Sequence, residues 1–154
     1  MVVDIPVDIS LADIKTPLPK NVDLPGYQPN YEPNPKQIER AAEMINKSER
    51  PVLYVGGGVI ASECSARIQK IAEKGNLPVT TTLMGLGAFP ETHELALHML
   101  GMHGTAYANY AVTNTDCLIA VGARFDDRIT GKLSAFAPQA KIVHFDIDPT
   151  SVSK

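Results

Sequence analysis

Apolar residues along this chain gather in short runs, and most runs stop at or near a glycine. Val52 to Val55 runs into Gly56-Gly57-Gly58, Leu77 to Thr82 into a loop from Leu83 to Pro90 that carries Gly85 and Gly87, and Cys117 to Val121 into Gly122. Uncharged runs of this length predict strands buried on both faces. Between them the spacing changes to that of helices. Ile38, Ala41, Ala42, Met44 and Ile45 mark one face of a helix over about 36–47, opened by Asn34-Pro35. Ala66, Ile68, Ile71 and Ala72 mark another over about 62–74, with Gly75 as its stop. Leu100-Gly101-Met102-His103-Gly104 leads to a third, capped by Thr105, and Lys141 to Ile147 closes the pattern as a last strand. Strands alternating with helices through glycine turns predict an α/β fold: a three-layer, Rossmann-like parallel sheet with helices on both faces.

The N-terminal stretch breaks the pattern. Met1 to Ile9 reads as a short strand stopped by proline. From Ser10 to Pro35 the prolines at 17, 19, 25, 29, 33 and 35 deny helix and central strand alike, which predicts an extended linker.

Composition narrows the function only by exclusion. At 154 residues the chain has the size of one domain. Its net charge of −3 and absence of Trp disfavour nucleic acid as a partner. No apolar stretch approaches a membrane span, and no basic region followed by an apolar core opens the chain. The two cysteines, Cys64 and Cys117, lie far apart and read as reduced packing residues of an intracellular protein. The four histidines show no ligand spacing, so no metal site is expected, and no nucleophile constellation accompanies them.

The chemistry sits in the loops. Open parallel sheets bind ligands just beyond the carboxyl ends of their strands, where these glycine loops converge. Arg124 and Arg128 offer planar donors suited to phosphate, although a turn whose Arg and Asp side chains merely pair with each other reads equally well. Gly56-Gly57-Gly58 occupies the place of a phosphate-holding turn, but Ala61 breaks the full dinucleotide pattern and no Lys-Ser/Thr pair follows. A tight strand-to-helix turn without a ligand remains open there. Asp146 and Asp148 end the last strand, where an acidic residue takes ribose hydroxyls in dinucleotide folds. The convergence points to an extended, dinucleotide-sized ligand.

Five segments carry a resemblance: Pro51–Gly58, Thr82–Gly87, Leu97–Gly104, Gly122–Lys132 and Lys141–Asp148. In that order they resemble the central domain of acetohydroxyacid synthase (acetolactate synthase), a thiamine-diphosphate enzyme. The resemblance implies residues 1–9 as the end of a preceding pyrimidine-binding domain, 10–35 as linker, and 36–154 as an FAD-binding central domain that stops before its last strand. It implies FAD contacts at Gly57, Thr82, Leu83, Met84, Gly85, Leu100, Gly101, Met102, His103, Gly122, Ala123, Arg124, Phe125, Asp126, Arg128, Asp146 and Ile147. Thiamine diphosphate and Mg²⁺ would be held by domains outside this chain, which itself carries no catalytic or metal-binding residue and is expected to be inactive alone. The implied whole enzyme is a transferase, a carboligase that condenses pyruvate with pyruvate or 2-oxobutyrate in branched-chain amino-acid biosynthesis. It would work as a homodimer or tetramer with a regulatory subunit, in a bacterial cytoplasm or a plastid stroma. The alternative is a nucleotide-binding or scaffold central domain of another thiamine-diphosphate decarboxylase or carboligase.

Overall fold

Val52 and Tyr54 point to one side of strand β1 (Pro51–Val55), Leu53 and Val55 to the other, and all four are buried. A strand buried on both faces belongs inside a sheet covered on both sides. The computed structural model, which describes residues 3–18, 20–21 and 31–152, places β1 at the centre of that sheet. Its neighbours are β2 (Val79–Thr81), β3 (Ala96–Met99), β4 (Cys117–Val121) and β5 (Lys141–Phe145), in the spatial order β3-β2-β1-β4-β5. All four pairings are parallel. The predicted fold class is therefore the one observed. The chain builds outward from β1 through β2 to β3, then returns to the other side of β1 for β4 and β5. The order thus reverses between β1 and β4.

One face is covered by α2 (Pro35–Asn46) and α4 (Ser65–Gly75), whose Ala41, Ile68 and Ala72 pack with Leu53, Val55, Cys117, Ile119 and Val143. The other is covered by α5 (Ala106–Asn114), whose Ala108 and Val112 pack with Val52, Tyr54, Leu118 and Ala120. The helices begin where their caps predict. Asn34 Oδ1 accepts from Lys36 N–H at 3.0 Å, and Thr105 Oγ1 from Ala108 N–H at 3.2 Å.

Several expectations are corrected. The apolar residues near the N-terminus form no strand: Val3–Pro6 is irregular, and Val7–Ser10 is a single helical turn (α1) held by Ser10 N–H to Pro6 O. Among the described residues they pair with no strand of the sheet, and residues 3–18 are all exposed. Met1, Val2 and parts of the proline-rich stretch lie outside the described residues. The helix expected over about 62–74 starts later, as α4, and a further short helix precedes it. A short α3 (Gly57–Ala61) comes first, then a turn in which Ser62 Oγ bonds Gly58 O and Glu63 takes φ 55°, and only then α4. Ile38, Ala42, Ala66 and Ile71 are exposed rather than buried, because each helix turns only a narrow stripe to the sheet. Gly75 is the last helical residue, and Asn76 supplies the left-handed stop at φ 48°. The strand expected over Leu77–Thr82 shortens to β2, because Leu77 N–H still bonds Ala72 O. The run Leu95–Leu100 contains a strand, β3, that the glycine loop after it had masked.

At the opposite edge from the glycine loops, the Asp116 carboxylate joins three elements. It accepts the N–H groups of Glu49 at 2.7 Å and Arg50 at 3.0 Å, while its backbone carbonyl receives Lys141 N–H. The Glu49 N–H, more than the Arg50 N–H and charge, holds the Asp116 carboxyl below the usual carboxylate range. A lowered folded value means that this contribution is complete above the unfolded carboxylate pKa of about 4 and is lost as pH falls through the lowered value. Asp116→Asn is expected to lower Tm at pH 7, with the gap to wild type closing in a pH 3 melt. An equal gap at both pH values would show that the charge plays no part.

Candidate functional site

The reversal between β1 and β4 places a crevice at the carboxyl ends of the strands, because the chain leaves the two strands toward opposite faces. Backbone contact first closes its floor. Gly56 N–H bonds Val121 O at 2.9 Å, and Gly58 N–H bonds Gly122 O at 3.0 Å. A Cβ on Gly56 would overlap Gly122 O, and one on Gly58 would lie 2.7 Å from Gly122 Cα. Gly122 itself has φ 56°, a left-handed conformation that L side chains seldom adopt. Two of the three glycines after β1 therefore serve a close approach between turns. Gly57 faces the cleft opposite Met84, and Gly58 borders it as well.

The open space above that floor measures about 480 Å³, within the usual size of ligand sites. One end is formed by Thr82, Leu83 and Met84 after β2, the last two exposed. Its middle is formed by Gly122, Ala123, Arg124, Asp126 and Arg128 after β4. The far end is acidic, with Asp146, Asp148 and Ser151 after β5.

Charge is distributed unevenly along this path. Asp126 caps α6 (Asp127–Thr130), accepting Arg128 N–H on Oδ1 at 3.2 Å. That bond chiefly, aided by the Arg124 and Arg128 charges, keeps its carboxyl below the usual range. Among the described residues the Arg128 guanidinium pairs with Asp127 alone, at 3.8 Å and with both side chains exposed, so the pair adds little. Among the described residues no carboxylate reaches ion-pair distance of Arg124. The reading of this loop as a self-paired Arg/Asp network holds for Arg128 and Asp127 but leaves Arg124 without an ion pair among the described residues. Beneath it Tyr54 is fully buried, and burial followed by the Asp126 charge pushes its phenol well above the ordinary value. The neutral hydroxyl lies 3.4 Å from Arg124 O, to which it donates. Asp146 is largely buried. Its Oδ1 accepts Asp148 N–H at 2.9 Å, which ends β5 at Phe145 rather than at Ile147.

Of the expected contact residues, Gly57, Thr82, Leu83, Met84, Gly122, Ala123, Arg124, Asp126, Arg128 and Asp146 line this one cleft. The others flank or support it. Gly85 is buried against Val55 O, and Leu100 lies in the core. Gly101 packs on Ile129 and Met102 N–H bonds Arg128 O, which brings the loop bearing Met102 and His103 alongside the β4 loop. Asn109 holds that loop with bonds to both Gly101 N–H and O, at 2.9 and 3.1 Å. Phe125 packs tilted against Tyr54 and edge-on to Phe136 behind the wall, and Ile147 is exposed. Sequence reading missed Tyr54, Ile129 and Ser151 as lining residues, while Gly58 and Asp148, weighed there as a phosphate turn and a ribose acid, also line the cleft. Asp148 was visible as the second acid after β5, whereas Tyr54 looked like any core residue of a strand. Among the described residues, no three His, Cys, Asp or Glu side chains gather as a metal site, and no helix is long and apolar enough to cross a membrane.

Comparison with known proteins gives this cleft a family. The description "Thiamine pyrophosphate enzyme, central domain" matches residues 38–154. The chain is 54% identical over 155 residues to a probable acetolactate synthase large subunit of Methanocaldococcus jannaschii, covering 99% of this chain and 26% of that protein. It is 50% identical to the acetolactate synthase large subunit of Corynebacterium glutamicum over all of this chain and 25% of that one. The large subunit of Porphyra purpurea matches at 49%, again over all of this chain and 26% of that protein. The chain thus spans about a quarter of the length of these relatives. A five-stranded parallel sheet, a crevice where its strand order reverses and a family match over most of the chain agree: this chain belongs to the central domains of the thiamine pyrophosphate enzymes.

Proposed function

We propose that the chain is the FAD-binding central domain of an acetolactate synthase large subunit. The observation that carries the cofactor reading is the guanidinium of Arg124. It stands midway along an elongated cleft, without an ion-pair partner among the described residues, where a diphosphate would lie. The rest of the cleft fits such a group. Gly57, Thr82, Leu83 and Met84 offer backbone and apolar surface at one end, suited to a flat ring. Arg128 adds a second cation beside the diphosphate position. Asp146 retains acceptor capacity at the far end for sugar hydroxyls, because a carboxylate has about four lone-pair sites and one is taken by Asp148 N–H.

Bound there, FAD supplies no net redox change to the carboligation and acts mainly on structure. Residues of this chain bind and orient it. The joining of two 2-oxo acids belongs to thiamine diphosphate and Mg²⁺, held by other domains of the subunit. The intact large subunit, stripped of flavin, is expected to quench added FAD fluorescence stoichiometrically. With thiamine diphosphate, Mg²⁺ and pyruvate it then forms acetolactate, whereas the 154-residue chain alone forms none. An intact subunit that takes up no FAD overturns the cofactor reading. One that takes up FAD but forms no acetolactate overturns the assignment to this enzyme.

A further inference from the structure

Three consecutive carbonyls in the turn after β4 accept hydrogen bonds from three different elements. Gly122 O receives Gly58 N–H at 3.0 Å, Ala123 O receives the His144 imidazole at 2.9 Å, and Arg124 O receives the Tyr54 hydroxyl at 3.4 Å. Only His144 among these donors lies outside both the cleft and its two glycine turns. Its side chain is about 6% exposed and sits behind the wall, edge-on to Phe125 with ring centroids 5.2 Å apart. A carbonyl oxygen can only accept, so Nε2 carries the proton and the tautomer is fixed. The same Nε2 stands 3.7 Å from Oδ2 of Asp146, itself about 10% exposed. One N–H therefore faces both the turn that presents Arg124 and the carboxylate that ends the cleft.

We infer that His144 is a positioning residue for the cofactor cleft. It touches no ligand and fixes the spacing between the cationic wall at Arg124 and the acidic wall at Asp146. The inference rests on the FAD reading. Without the N–H, Ala123 O is left buried and unpaired, and the turn can relax away from β5. A cofactor gripped at both its diphosphate and a sugar would register such a shift, since small displacements of positioning groups weaken binding steeply.

The test uses the flavin-free intact large subunit. His144→Phe keeps the ring volume and the edge contact with Phe125 but removes the donor. Its FAD dissociation constant is expected to rise about tenfold, the scale of one lost hydrogen bond with its acceptor stranded. Ile142→Ala, on the same strand and face, trims a half-exposed side chain without reaching the turn and is expected to bind FAD as the wild type does. Because His144 acts through Arg124, the added loss on His144→Phe should shrink to less than twofold in an Arg124→Ala background. If His144→Phe gives no soluble protein, His144→Leu replaces it with the same expectation. A wild-type dissociation constant in the His144 variant, an equal loss in Ile142→Ala, or an undiminished loss without Arg124 overturns the inference alone. A wild-type subunit that takes up no FAD overturns the cofactor reading and this inference with it.

Discussion

Alanine at Gly122 is expected to destabilise the domain by about 2–4 kcal/mol, more than a surface turn glycine would. Two costs add. At φ 56° an L residue pays roughly 1 kcal/mol for the left-handed backbone. The new Cβ would also stand 2.7 Å from Gly58 Cα and 2.9 Å from Val59 N, all backbone that cannot rotate aside. Relief would require β1 and β4 to part at their carboxyl ends, which opens the floor of the cleft. Urea unfolding should show a lower midpoint at unchanged slope. A shift below about 0.5 kcal/mol, the usual range for surface changes, would mean that the two turns do not meet as described.

Arg124→Ala is expected to weaken FAD binding by about one to two decades. A charge-assisted bidentate contact to diphosphate is worth roughly 1.5–3 kcal/mol. Folding should be little affected, because Arg124 is exposed and its backbone carbonyl, not its side chain, is what Tyr54 holds. Lysine at the position should recover part of the loss, since it restores charge without the fork. FAD titration into the apo variants of the intact subunit measures both. Unchanged affinity in the alanine variant would remove Arg124 from the site.

Much of this arrangement is legible in the sequence, for a physical reason. Strands buried on both faces must be apolar throughout, so Val52–Val55 and Cys117–Val121 announce themselves without help from neighbours. Their loops follow from topology, which is why ten of the expected contact residues meet in one cleft. What the sequence hides is whatever depends on a partner across the fold. The glycines at 56 and 58 look like a phosphate turn, yet they answer to Gly122, some sixty residues away. His144 lies on a strand with nothing local to mark it, and only the register of β4 with β5 brings it to Ala123. Ile38 and Ile71 follow helical spacing but exceed the narrow stripe the sheet can cover. Among the described residues Val3–Ile9 pair with no strand of the sheet, so their strand-like composition is not realised here.

Strand β5 has a neighbour on one side only among the described residues, and that gives it a second character. Ile142, Phe145 and Ile147 are 40–53% exposed along or beside it, and Lys141 is its one charged residue. An uncovered apolar edge is a template for a foreign strand. The 154-residue chain is therefore expected to self-associate as its concentration rises in sedimentation, and Ile142→Lys to suppress this. A wild-type chain that stays monomeric at high concentration would show the edge to be inert. The same strand carries His144 and leads into Asp146, so whatever zips onto it stiffens the far wall of the cleft. If the cleft takes FAD as proposed, strand capture and cofactor binding would be linked equilibria, each tightening the other by the same factor.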